Sequence, residues 1–77
     1  MTRSAVKRLQ GRLAGLAFRP GPVDGVMGLQ TVKAIRRYQV AHRLPVTGKT
    51  SPQFLKHVED TYASAKAEQM LTNSSKW

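Results

Sequence analysis

Pro20-Gly21-Pro22-Val23-Asp24-Gly25-Val26-Met27-Gly28 is the stretch on which the reading of this chain turns. It has no helical period. Proline fixes φ, glycine accepts positive φ and Asp24-Gly25 is a strong turn dipeptide, so the segment reads as a loop of two turns. Val23, Val26 and Met27 give it apolar side chains to tuck underneath, which predicts an ordered loop.

On both sides of the loop the period becomes helical. Upstream, Val6, Leu9, Leu13 and Leu16 recur at steps of three and four, one apolar stripe of a helix from Ser4, the expected N-cap, to Gly15 or Leu16. Arg8 with Arg12 and Arg3 with Lys7 are like-charge i,i+4 pairs outside the stripe, each costing roughly 0.2–0.5 kcal/mol, so packing must hold this helix. Downstream, a helix from Leu29 or Gln30 to His42 places Thr31, Ala34, Ile35, Tyr38, Ala41 and His42 on one side, with Lys33, Arg36, Arg37 and Arg43 elsewhere. Pro45 turns Leu44 away from the helical region and Gly48 permits a tight turn. A third helix is expected from Ser51 with Pro52 at its first position; Thr50 with Gln53 is the competing capping box. Phe54, Leu55, Val58, Tyr62 and Ala65 form its stripe, and the Ala-rich Tyr62–Leu71 stretch extends it. The expected division is a three-helix domain over 1–60, then a helical extension and frayed tail over 61–77. Trp77 is either an expression remnant or a contact for a partner.

Size and composition exclude much. A chain of 77 residues and 8.5 kDa buries only about 60% of its unfolded surface, so its core is thin and a large internal substrate pocket is not expected. Without cysteine there is no disulfide, thiol nucleophile or Cys zinc site. No apolar run approaches the ~20 residues of a membrane span. The N-terminus carries no secretory signal pattern, so the expectation is a chain made in the cytoplasm, an excised domain, or one that leaves the cell by another route. The formal charge is +9, and it is unevenly placed: residues 1–58 hold eleven Lys and Arg against Asp24 alone, while residues 59–77 hold two lysines and three acids. A basic fold of this kind favours anionic partners.

Catalysis finds no support. General acid–base work needs two positioned titratable groups, yet Asp24 lies in a turn, Glu59 and Asp60 point apart as helix neighbours, and Glu68 lies in the tail. His42 and His57 fall on different helices without zinc spacing, and His42 reads as a half-buried side chain closing helix two. No cofactor or metal is expected. Gly25 and Gly28 lack the Gly-Lys-Ser/Thr that a phosphate loop needs. A helix-turn-helix reading ranks below a binding module, because a recognition helix follows a turn of three or four residues and here about a dozen intervene.

Four motifs in register carry a resemblance: Val6-Lys7-Arg8-Leu9-Gln10; Val23-Asp24-Gly25-Val26-Met27-Gly28 with Thr31; Ala34-Ile35-Arg36-Arg37-Tyr38-Gln39; and Leu44-Pro45-Val46-Thr47-Gly48. Together they resemble the three-helix peptidoglycan-binding domain that accompanies bacterial and phage cell-wall hydrolases, over about Ala5 to Val58. Met27 replaces the usual aromatic, Tyr38 a Phe, and Arg43 stands where Gly is common. The resemblance implies an all-α three-helix bundle and a non-catalytic wall-binding role, acting at the wall or periplasm, or virion-associated or cytoplasmic until lysis. Peptidoglycan is the implied ligand and a hydrolase or phage or secretion component the implied partner; a structural docking piece of such an assembly is the alternative. Asp24, Gly25, Gly28 and Thr31 are expected to fix the turn, with the Asp24 carboxylate accepting loop N–H groups and the Thr31 hydroxyl, while Gln39 ties a buried loop group. Stem-peptide carboxylates suit bidentate donors, so Arg19, Arg36, Arg37 and Arg43, with Tyr38, Gln39 and His42 beside them, are the expected ligand residues.

Overall fold

The computed structural model describes the backbone of residues 1–74 and the side chains of residues 1–68. Three helices follow in order, α1 (Arg3–Gly15), α2 (Leu29–Ala41) and α3 (Pro52–Ser74), with no strand among the described residues. The fold is all-α, as the periodicity and the resemblance led one to expect.

Thr2, rather than Ser4, caps α1: its hydroxyl accepts the Ala5 N–H at 3.2 Å from an extended backbone, and Ser4 lies inside the first turn. Ser51 caps α3 by accepting the Phe54 N–H at 3.1 Å, and Thr50 instead turns its hydroxyl to the Met1 sulfur. The first two helices end alike. Phe18 N–H reaches Leu13 O at 2.9 Å and Leu44 N–H reaches Gln39 O at 2.8 Å, six-to-one closures that leave Ala17 (φ 66°) and Arg43 (φ 57°) in the left-handed region. This is the position where helices prefer glycine. The third helix runs on to Ser74, so helical turns reach past the point expected to fray; residues 75–77 lie outside the described part.

Leu9, Leu13, Ala34, Ile35, Tyr38 and Val58 form the buried core, with Leu16, Phe18, Leu44, Phe54 and Leu55 packed around it. Each fully buried large apolar side chain contributes roughly 1.5–3 kcal/mol. Tyr38 is its centre, edge-on to Phe18 and Phe54 at 5.4 Å between centroids. The basic helix α1 finds long-range partners: Arg8 meets Glu59 at 3.5 Å, and the Arg12 guanidinium lies 4.7 Å over the Tyr62 ring. Two expected stripe members do not belong to it, since Ala41 and Ala65 are exposed. Both lie at the ends of their stripes, beyond the buried core, and α2 buries Gln39 as well.

The loop of residues 16–28 is held by polar contacts, which corrects the expected apolar underside. Val23 (42%), Val26 (54%) and Met27 (37%) are exposed. Beneath them sits Gln10, fully buried, whose Oε1 accepts the N–H groups of Asp24 at 3.0 Å and Gly25 at 2.8 Å. Its amide donates to Val26 O and Thr31 Oγ1, both at 2.9 Å. Asp24 Oδ1 accepts the Val26 N–H at 2.9 Å, but the Thr31 hydroxyl donates to Pro20 O at 2.8 Å rather than to Asp24. Gln10 occupies the space between Asp24 and Thr31. Four loop or helix groups thus lose their water to one carboxamide, and buried polar groups need such partners.

Candidate functional site

The second corner, between α2 and α3, is built on the same principle. Gln39, 4% exposed, accepts the N–H groups of Thr47 and Gly48 at 3.0 Å each and donates to Thr47 Oγ1 at 3.1 Å. The Thr47 hydroxyl in turn accepts the Lys49 N–H at 3.1 Å. Gly48 has φ 69°, and a Cβ there would lie 2.8 Å from Arg36 Nε, so the Arg36 stem lies directly across this corner.

Beside the corner opens a hollow of about 410 Å³, within the usual range of ligand sites. Leu44, Pro45 and Phe54 supply apolar walls, Gln39 lies at its inner side, and Lys49 and His57 stand among its polar lining; no acidic residue lines it. His57 is fixed from behind, because its Nδ1 lies 2.6 Å from the Tyr38 hydroxyl, which also lies 2.7 Å from Thr61 Oγ1. A neutral imidazole that accepts at Nδ1 carries its proton on Nε2. A smaller hollow of about 170 Å³ lies against the first loop, between Pro20, Pro22 and Leu29.

Burial raises the Tyr38 phenol, helped by the Asp60 charge and opposed by the Thr61 hydrogen bond. Burial also lowers His42, with a further push from His57, whose ring centroid is 5.5 Å away; His42 stacks on Tyr38 at 4.2 Å. Asp24 is lowered chiefly by the Val26 N–H and then by the Gln10 amide and the Arg3 charge, against a raising effect of desolvation.

The expected ligand residues are therefore divided. Tyr38 is wholly buried at the centre of the core, whereas Gln39, nearly buried, holds the α2–α3 corner and also lines the hollow. The half-buried His42 closes α2. Arg37 donates to Phe18 O at 3.1 Å and so sides with Arg19, the next residue along, while Arg36 sides with the Gly48 corner. Arg19 and Arg43 are exposed and both hold left-handed backbone, at φ 56° and 57°. Sequence reasoning missed the role of Gln10 and the hollow at Lys49 and Phe54. Gln10 carried a signal: a polar residue adjoining Leu9 on the buried side of a stripe. Nothing local marked the hollow, which needs residues from both sides of the α2–α3 connection. Gly28 caps α2 with φ −85° and open space around it, so its position does not require glycine.

A three-helix bundle with an acid-free hollow and exposed arginines defines a small binding module. The family model described as "Putative peptidoglycan binding domain" matches residues 2–58, and the chain belongs to that family, whose domains are non-catalytic modules with peptidoglycan as the implied partner. Among curated proteins, one named "Putative OxPP cycle protein OpcA" from Nostoc punctiforme is 37% identical over 54 residues, 70% of this chain and 12% of the relative. A protein of the same name from Synechocystis is 32% identical over 68 residues, 88% of this chain and 14% of the relative. The chain thus spans about an eighth of the length of these relatives. No solved structure matches it significantly. No helix among the described residues is long and apolar enough to cross a membrane.

Proposed function

We propose that the chain is a wall-binding module that anchors or targets an attached or associated protein, such as a cell-wall hydrolase or a phage or secretion component, on peptidoglycan. Its place of action on this reading is the wall or periplasm, reached by secretion, from a virion or on lysis. The observation that carries the reading is the family match over residues 2–58. A surface rich in exposed arginines (Arg19, Arg36, Arg37, Arg43) supports it, because stem-peptide carboxylates are complementary to guanidinium groups. Each exposed pair is weak, so retention depends on the polymer's many repeated sites.

Incubation with purified insoluble sacculi at ~0.15 M salt tests this: the chain is expected in the pellet, and complete recovery in the supernatant overturns the reading. A second reading, a docking piece of a larger assembly, is favoured by the exposed apolar set Val23, Val26, Met27 and Leu29, since contiguous apolar surface marks contact sites. It predicts an unretained chain whose partner binding is lost with Leu29→Asp. Binding to duplex DNA with a steep salt slope would instead identify a nucleic-acid protein.

A further inference from the structure

We propose that the hollow at the α2–α3 corner is a pocket for the free carboxylate end of a short peptide whose last residues are small and apolar. The proposal rests on the wall-binding reading and assigns to it a ligand end, since peptidoglycan stem peptides terminate in D-alanine.

Five features of the hollow select this chemistry. Its volume of about 410 Å³ admits two small residues, and Leu44, Pro45 and Phe54 offer walls on which methyl groups lose water. Lys49 is exposed at the rim, with no acid in the lining to neutralise it, so the site attracts an anion and repels a protonated amine. Gln39 spends one amide N–H on Thr47, and the second has no partner among the described residues although the side chain is 4% exposed. His57 Nδ1 lies 2.6 Å from the Tyr38 hydroxyl; in the tautomer in which Nδ1 accepts, the ring proton sits on Nε2 and is a further donor. The Lys49 ammonium and the free Gln39 amide N–H, joined in that tautomer by the imidazole N–H, are donors for a carboxylate and a peptide carbonyl. The first turn of α3, which opens at Ser51, presents its positive dipole end to the same space.

Each corner residue has a reason to be rigid. The Gln39 clamp fixes Thr47, Gly48 and the Lys49 N–H, and Ser51 fixes the Phe54 N–H, so the pocket is formed before ligand arrives. Preorganisation of this kind lowers the ordering cost of binding.

The test is titration of the isotope-labelled full chain with N-acetyl-D-alanyl-D-alanine, followed by amide chemical shifts, up to about 10 mM because a single small contact of this type is expected near millimolar. Saturable shifts at Thr47, Lys49, Gln53, Phe54 and His57 are expected. The C-terminal amide of the same dipeptide should bind at least several-fold more weakly. Lys49→Met, a surface change, should weaken binding by about fivefold, and Gln53→Trp should close the mouth and abolish it. Absence of saturable shifts from a chain that still pellets with sacculi overturns the pocket and leaves the wall-binding reading standing. Loss of sacculus retention with intact dipeptide binding overturns wall binding and keeps the pocket. Equal binding of acid and amide overturns the carboxylate assignment.

Discussion

The Gln39 carboxamide oxygen receives the Gly48 N–H at 3.0 Å, with the Thr47 N–H beside it at the same length. Gln10 does the same for Asp24 and Gly25. In both corners the residue before the glycine uses a side-chain oxygen to take the N–H two positions on, Val26 from Asp24 and Lys49 from Thr47. Two buried glutamines on different helices therefore hold the two connections of the bundle by one device. The separations in sequence differ, so it is a repetition of contacts and not an internal repeat.

Removing a clamp should unfold its corner. Gln10→Ala takes the acceptor from the part-buried Asp24 and Gly25 N–H groups, at up to about 1–3 kcal/mol for each group left unsatisfied. A domain of this size holds only ~3–5 kcal/mol in total, so the variant should lose most of its helical signal in far-UV circular dichroism well below the wild-type melting temperature. Gln39→Ala should cost less, since the Gln10 amide also donates to Val26 O, Thr31 Oγ1 and Asp24 Oδ1, whereas that of Gln39 donates to Thr47 Oγ1 alone among the described residues. A Gln10→Ala variant that melts with the wild type would show that water replaces the carboxamide.

Three glycines should behave differently. A Cβ on Gly25 would sit 2.9 Å from the Arg3 carbonyl oxygen at φ 80°, and one on Gly48 would press on Arg36 at φ 69°. Gly25→Ala and Gly48→Ala should each lower stability by about 1–3 kcal/mol. Gly28→Ser should raise it by a few tenths of a kcal/mol, because the N-cap of α2 has no side-chain acceptor and a serine hydroxyl can supply one. Urea midpoints of the three variants check the order.

The helix ends offer the opposite test. Ala17 and Arg43 occupy left-handed positions that a Cβ disfavours by about 1 kcal/mol. Ala17→Gly and Arg43→Gly should both increase the urea midpoint. If Arg43→Gly gains stability but loses retention on sacculi, the Arg43 side chain belongs to the ligand face; unchanged retention places Arg43 outside that face.

The helices were legible because their stripes are local: Leu9, Leu13, Ile35, Tyr38 and Val58 fall where a 3.6 period puts them, and proline and glycine mark the breaks. The inside of the first loop was not. Val23, Val26 and Met27 look like core residues by type, yet a short loop crossing the end of the bundle has no second layer above it, so their side chains face solvent. Thr31 was seen on the buried side of α2, but its partner is Pro20 O because Gln10 fills the space toward Asp24. Of the expected ligand residues, the arginines could be placed on α2 from sequence. Their separation could not, because Arg36 and Arg37 point about 100° apart on a helix and only the tertiary partners Gly48 and Phe18 show which surface each joins.

Stability should fall in two stages as pH drops. Burial holds His42 below the ordinary histidine value of 6.5 in the fold, so the folded state binds a proton less readily than the unfolded chain. Its contribution is complete above the unfolded value and is lost as pH falls through the lower folded one. Asp24, lowered from 3.8 mainly by the Val26 N–H, contributes above its unfolded value and is lost only in stronger acid. Urea midpoints should therefore decline as pH falls below the ordinary histidine range and again below the carboxylate range. His42→Phe keeps a ring on Tyr38 and should flatten the first stage alone; a midpoint that rises between neutrality and mild acid would contradict the assignment.

Charge reversal on α2 separates a ligand face from unspecific attraction. Arg36→Glu with Arg37→Glu lowers the net charge of +9 by four units, and the only hydrogen bond lost among those described is Arg37 to Phe18 O, an exposed contact worth about 1 kcal/mol or less. Helical content should persist. Lys7→Glu with Lys66→Glu makes the same charge change on α1 and α3, away from that surface. If the arginines face the wall, the first pair should abolish pelleting with sacculi at ~0.15 M salt while the second reduces it slightly. Equal losses would mean that the bundle responds to net charge alone, and undiminished pelleting of the first pair would move the ligand face elsewhere, leaving the Lys49 hollow as the surface that meets peptidoglycan.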